Sequence, residues 1–320
     1  MKTFLLRAVS FLLLPSLLTS CFSYGNNTIS PTITYNIQDY RLQSLPSAFT
    51  SLKEDEVNQE WGKEYKIGLA LAKELDLYRA VTAFKRADIL APKEQVERKL
   101  ELQYYIVLSY YLGHLYEEAI DSFNHSDLVN INSTFPVYQD LLVILYESYV
   151  ELGEVKQANH LITLLEQEDN TKASKLKLSK AMQKGELYQI QNASYTTQLQ
   201  DDNEKLMKSF NDFKKSEKTA QALNAFLPGA GYLYVGQKQT ALTAFLLNGL
   251  CIASTAYFFK KGNMPMGILM AGFEAGWYVG GIYGAGEAAR TYNERLYENN
   301  ANQVMRKNDL FPVLTLNYAF

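Results

Sequence analysis

Residues 239–259, QTALTAFLLNGLCIASTAYFF, form an uncharged run of 21, and 262–286, GNMPMGILMAGFEAGWYVGGIYGAG, a second run of 25 broken only by Glu274. A short turn around Lys260-Lys261-Gly262-Asn263 separates them. About 20 apolar residues cross the roughly 30 Å of bilayer hydrocarbon as a helix. Two such runs back to back predict a transmembrane helical hairpin over 239–286. The fold class expected is all-α: a helical-repeat solenoid followed by that two-helix hairpin.

The second run carries Gly272, Gly276, Gly280 and Gly284, every fourth residue, which puts a small stripe on one helix face. Small residues let membrane helices approach to backbone contact. Gly249 and Ala253 on the first run offer the answering surface. Glu274 is the one acid in the runs, and an ionised carboxylate in lipid is costly without a partner. With the turn centred near 261, an antiparallel hairpin brings Asn248 opposite Glu274. That pair reads as a polar clasp, or as a proton or ion relay.

The entrance to the first run reads Pro228-Gly229-Ala230-Gly231-Tyr232-Leu233-Tyr234-Val235-Gly236. With Asn248-Gly249 and Phe273-Glu274-Ala275-Gly276-Trp277-Tyr278, and with Ala289 and Tyr292-Asn293 downstream, it resembles a small bacterial membrane-hairpin family with a PGxGxxYxG entrance. That resemblance implies a location and no agreed molecular activity. The glycines mimic neither nucleotide motif. The third glycine is misplaced for a dinucleotide loop, and Gln237 stands where a phosphate loop needs lysine. They suit a tight interfacial turn, with Tyr232 and Tyr234 at headgroup depth. Ahead of it, 201–238 reads as an amphipathic helix and a glycine-rich entrance, with Lys208, Lys214, Lys215 and Lys218 facing an anionic surface or simply solvent.

Between Pro46 and Lys218 only Pro92 and Pro136 interrupt apolar-periodic segments, which suggests helical pairs. Ala80, Ala119 and Ala158 lie 39 residues apart. Around the first stand Gly68, Phe84, Ala87 and a closing Pro92. Around the second stand Gly113 and Phe123, and around the third Gly153 and Ile162. The pattern resembles the tetratricopeptide repeat family over about 61–168. The departures are an extra residue between Gly113 and Ala119, Ile162 in place of the aromatic, and no closing proline in the second and third units. The resemblance implies alanines at helix crossings and a stacked array with a groove for a protein or peptide. The repeat domain is expected over 59–200.

At the front, Met1–Arg7 is basic and short, and Ala8–Leu18 is an apolar stretch of 11. This is export-signal architecture. Leu18-Thr19-Ser20-Cys21 resembles the bacterial lipobox, which implies a signal peptide over 1–20, lipidation at Cys21 and a tether over 21–58. The last segment, 287–320, reads as a tail. Its Pro312–Phe320 end alternates with period two and resembles the last strand of an outer-membrane barrel, so an edge strand is expected there.

Net charge is −3 with pI about 5.8, which leaves no basic footprint for nucleic acid. Two cysteines and His114, His125 and His160 assemble no nucleophile–base pair or metal set. No cofactor or metal is expected. The functions that remain are a non-enzymatic, membrane-anchored scaffold of the bacterial envelope, a small-helix pore or transport accessory using the glycine stripe and Glu274, and a lipoprotein of outer-membrane assembly. Membrane lipid, a protein or peptide partner and a homo-oligomer are the partners expected. The repeats would be periplasmic, and the inner membrane is preferred over the outer.

Overall fold

Three-residue turns set the architecture of the first half of the chain. In the computed structural model, which describes residues 29–35, 44–192 and 197–320, short α1 (Glu54–Val57) leads into α2 (Glu60–Lys73) and α3 (Leu77–Leu90). Then come α4 (Val96–Leu112), α5 (Tyr116–Asn124), α6 (Tyr138–Glu151) and α7 (Val155–Glu168). Helices α2 and α3, α4 and α5, and α6 and α7 pack as consecutive pairs. Connections this short force antiparallel neighbours.

Each turn uses the same backbone device. Leu75 (φ 59°), His114 (φ 57°) and Gly153 (φ 76°) are left-handed, each 39 residues from the next. The residue after each donates back to a carbonyl five positions earlier: Asp76 to Leu71, Leu115 to Tyr110, Glu154 to Tyr149. This closes the carbonyls that a helix end leaves open. Within each following helix an alanine, Ala80, Ala119 or Ala158, is fully buried.

After α7 come α8 (Asn170–Gln183), α9 (Leu187–Asn192) and α10 (Thr197–Phe213). The single helix expected over Asp201–Phe226 is in fact two. Ser216 caps a separate α11 (Glu217–Phe226), its side chain accepting from the Thr219 N–H, so the chain turns at Lys214–Lys215. A five-residue α12 (Ala230–Tyr234) precedes α13 (Lys238–Lys260) and α14 (Met264–Lys307). The second apolar run is therefore the front of a helix of 44 residues that continues through polar sequence. A 3₁₀ turn, Pro312–Thr315, follows. Among the described residues there is no strand, and this corrects the edge strand expected at Pro312–Phe320. The alternating apolar residues there are buried without a ladder.

The described chain divides into two compact units. One holds Gln183–Gln191 and Asp201–Ala301 with the described residues up to Thr32. The other holds Ile33–Met182, Asn192–Gln200 and Asn302–Phe320. The second unit carries most of the large buried side chains, including Trp61, Phe84, Tyr104, Tyr105, Leu108 and Ile144. The last residues fold with this unit and not as a separate tail over 287–320.

Candidate functional site

In the unit that contains the helix pairs, Gly68 lies against the Phe84 ring. A Cβ at position 68 would sit 2.6 Å from that ring, so only glycine allows the contact. Phe84 and Ala87 are fully buried, Phe123 is half-buried, and Gly153 faces open space. Phe84 packs on Tyr105 with ring centroids 5.3 Å apart.

Two buried ionic groups organise this unit. Arg98 donates to Glu56 (3.0 Å) and to Glu101 (2.8 Å), and its other hydrogens reach the carbonyls of Thr50 (2.7 Å) and Ser51 (3.2 Å). Tyr65 adds a hydrogen bond to Glu101. The Arg98 hydrogen bonds hold Glu56 below the usual carboxylate range, whereas burial pushes Glu101 up.

The second ionic group is Asp140, 1% exposed, paired with Lys172 at 3.1 Å through Oδ1. Its other oxygen accepts from two successive backbone N–H groups, Asn317 at 2.8 Å and Tyr318 at 2.9 Å. The Ala319 N–H donates to the Pro46 carbonyl at 3.1 Å. The Phe320 ring stacks on Phe84 at 6.2 Å and tilts against Tyr105 at 5.6 Å. Ser47 Oγ shares a hydrogen bond of 2.8 Å with the Tyr105 hydroxyl. The surface around Phe84 and Tyr105 thus holds residues 316–320, with the chain bent at Asn317 so that two successive N–H groups meet one oxygen.

In the other unit, the base of α13 and α14 is built from small residues. Ala220, Val235, Ala285, Ala288 and Ala289 form its core, flanked by Tyr232 and Tyr234. After half-buried Pro228, Gly229 (φ 94°) turns the chain against the Ala241 backbone, where a Cβ would meet the carbonyl oxygen at 2.3 Å. Gly231 is equally constrained, since a Cβ there would sit 2.2 Å from the Ala220 oxygen. Gly236 (φ 85°) turns the chain into α13 with nothing near it. Asn224 Oδ1 accepts from the Gly229 N–H at 2.8 Å. Asn293 grips Lys215 twice, accepting from its N–H (2.7 Å) and donating to its carbonyl (2.8 Å). The Tyr234 hydroxyl accepts from the Ser216 N–H at 3.2 Å, and Lys215 lies over the Tyr234 ring.

Beyond that base a narrow stripe of α13 is covered: Ala241, Asn248 and Cys251, with Ala244, Thr255 and Phe258 half-covered, and Ser254 half-covered beside it. These recur at spacings of three and four, the seam of a coiled-coil contact. The Glu274 carboxylate faces Cys251, one helical turn beyond the Asn248 that sequence pairing selected. Neither Glu274 oxygen accepts a hydrogen bond of good geometry. Asn248 instead donates to Ala244 in its own helix at 2.6 Å.

The glycine stripe is not in the seam. A Cβ at Gly249, Gly272, Gly276 or Gly280 would meet nothing within 4 Å, and Gly284 alone meets Tyr232. The intrahelix-pair contact expected of the stripe is thus replaced by an outward small-residue face. Around it stand exposed Leu242, Phe245, Leu250, Ile268, Phe273 and Trp277, with Trp277 stacked on Phe273.

No protein-family model matches the chain, and no curated protein or solved structure resembles it. The site therefore rests on its own geometry. Among the described residues no group of three His, Cys, Asp or Glu side chains is placed to hold a metal ion. Cys21 lies outside the described residues.

Sequence reasoning missed Asp140, Lys172 and Asn224, and it singled out Asn293 only through the hairpin resemblance, without its bonds to Lys215. Asp140 stood beside the apolar run Leu141–Leu145, and an acid there was the one available signal of a buried polar task. The asparagines carried no signal, because their partners are backbone groups remote in sequence.

Proposed function

We propose that the chain is a non-enzymatic scaffold held in the bacterial envelope, with α13 and the front of α14 in lipid as a two-helix hairpin. Tetratricopeptide-like pairs outside the membrane bind a protein or peptide. The observation that carries this reading is the exposure of α13. It is 23 residues long and apolar enough to cross a membrane, yet only 6% of its apolar window is buried, whereas the core helix of a soluble protein is mostly covered. Water would meet Leu242, Leu250, Ile252 and their neighbours directly, at a cost of about 25 cal/mol per Å² of apolar surface. Lipid removes that cost.

The front of α14 carries the same outward apolar face, although its glycines and Glu274 dilute it. The 39-residue recurrence of left-handed turn residues and buried alanines supports the repeat reading. Cys21 is the lipid attachment point in this proposal. The inner membrane suits the helices, with the repeats periplasmic. The outward face of Gly272, Gly276 and Gly280 offers a second copy a close approach.

The test is alkaline carbonate washing of membranes after the acylated front is cut away. Retention of the hairpin in the bilayer is expected, and release into the supernatant refutes the reading. Cross-linking in cells from the repeat surface identifies the partner. A second reading, a pore or transport accessory, draws on the unbonded Glu274 carboxylate. Conductance of purified protein in vesicles, lost in Glu274→Gln, would replace the scaffold with it.

A further inference from the structure

In the unit that carries the helix pairs, the surface formed by Asp140, Phe84 and Tyr105 is filled by residues 316–320 of the same chain. The grip on this segment is unusual for an internal packing contact. It relies on backbone groups: two adjacent N–H groups on one carboxylate oxygen, and a third on the Pro46 carbonyl. Such bonds need a bend that turns two successive N–H groups the same way, and no particular side chain. The segment has neither helix nor ladder of its own. Selectivity comes from three places. Leu316 and Ala319 are 4% exposed, so their pockets admit an apolar and a small residue, while Phe320 fills the aromatic slot between Phe84 and Tyr105. Asn317 faces outward and Tyr318 is half-exposed, so these positions are free to vary.

The clamp is also costly to keep unless something occupies it. Asp140 is 1% exposed and Lys172 satisfies only one of its oxygens. With the segment gone, Oδ2 needs two new donors, and a buried acceptor without them is penalised. An incoming peptide supplies the same two N–H groups, so exchange preserves the bonding where simple departure does not. Main-chain bonds that give affinity and alternate pockets that give choice are how extended peptides are recognised elsewhere.

We infer that the Asp140–Phe84–Tyr105 surface is a peptide-exchange groove whose built-in occupant is 316–320. Its partner is a peptide that bends after an apolar residue, with two variable residues, a small residue and an aromatic following in succession. The inference rests on the scaffold reading for its biological setting and deepens it by naming the ligand class and the competitor.

The experiment uses the full chain purified in detergent, with a fluorescein-labelled peptide of sequence Pro-Val-Leu-Thr-Leu-Asn-Tyr-Ala-Phe as the probe. Tyr318→Pro removes one clamp N–H, and Phe320→Ala empties the aromatic slot. The double variant is expected to bind the probe at least ten-fold more tightly than the unaltered chain. Adding Asp140→Asn, or using a probe with its last residue changed to Ala, is expected to remove that gain. If the double variant loses its cooperative melt, Phe320→Ala alone is read instead. Binding no tighter than in the unaltered chain, or failure of both variants to fold, overturns the inference, because the segment is then a fixed part of the core. Probe exchange with no cross-linked partner in cells counts against the scaffold and leaves the groove standing. Cross-links without probe exchange do the reverse.

Discussion

Glu147 offers a stability experiment whose sign is fixed by its surroundings. It sits on α6, 7% exposed, and burial, with the Glu151 charge adding to it, pushes its carboxyl up to about 8, against relief from Lys180. Tyr111 and Tyr116 are the other titratable groups that feel its charge. The folded chain thus holds a proton that the unfolded chain releases near the ordinary carboxyl value of 4.5. Where the folded state binds more protons, stability falls as pH rises. The contribution is fully present below about pH 4.5, is lost between there and about 8, and is flat beyond. At about 1.4 kcal/mol per pH unit the ceiling is about 5 kcal/mol. Rotation of the ionised side chain toward solvent relieves part of that, so a loss of about 2–4 kcal/mol is expected. Glu147→Gln keeps the shape and cannot ionise, so its stability should fall across that window by about 2–4 kcal/mol less than that of the unaltered chain. Trp61 is 1% exposed and the only other tryptophan is Trp277. In a Trp277→Phe background, urea melts followed by Trp61 fluorescence at pH 4.5, 6.5 and 8.5 read the unit that contains Glu147 alone. Equal pH slopes for the two proteins would refute the argument that Glu147 is held protonated.

Other outcomes follow from the same geometry. Leu75→Gly and His114→Gly relieve left-handed strain and should each stabilise that unit by about 1 kcal/mol, while Gly153→Ala should cost about as much, all by urea midpoint. Arg98→Met leaves Glu101 buried without its cation and should cost about 3–5 kcal/mol, with a loss below 1 kcal/mol contradicting the network. Gly231→Val should block assembly of the hairpin base, seen as protease sensitivity at 227–238, because its side chain meets the Ala220 carbonyl. Gly276→Leu meets open space and should leave folding intact while abolishing any cross-link between copies through α14.

The helical class was legible because proline is nearly absent from 47–218 and apolar residues recur at helical spacing. The 39-residue step of the alanines coincides with the step of the turns, since one helix pair sets both. The faces of α13 and α14 were not legible. Glycine at every fourth position defines a stripe and does not say whether a neighbouring helix or the surroundings meet it. The facing residue was misjudged by one helical turn. The link between the helices runs through Lys261–Asn263, with Gly262 left-handed, so the fold-back centre lies beyond 261 and brings Cys251 to Glu274. The 312–320 alternation suggested a strand, but the chain runs as a 3₁₀ turn over Pro312–Thr315 and bends at Asn317, the one exposed residue of the segment. Its hydrogen bonds go to Asp140 and Pro46, partners no local pattern reveals.

The foot of the two long rods is stitched by carboxamides bonded to main chain, Asn224 to Gly229 and Asn293 to Lys215. Carboxamides neither gain nor lose protons between about pH 3 and 10. An acid excursion that reloads carboxylates elsewhere in the molecule therefore passes these stitches by. Replacing either asparagine with aspartate would couple the foot to ambient acidity, turning an indifferent joint into a responsive one.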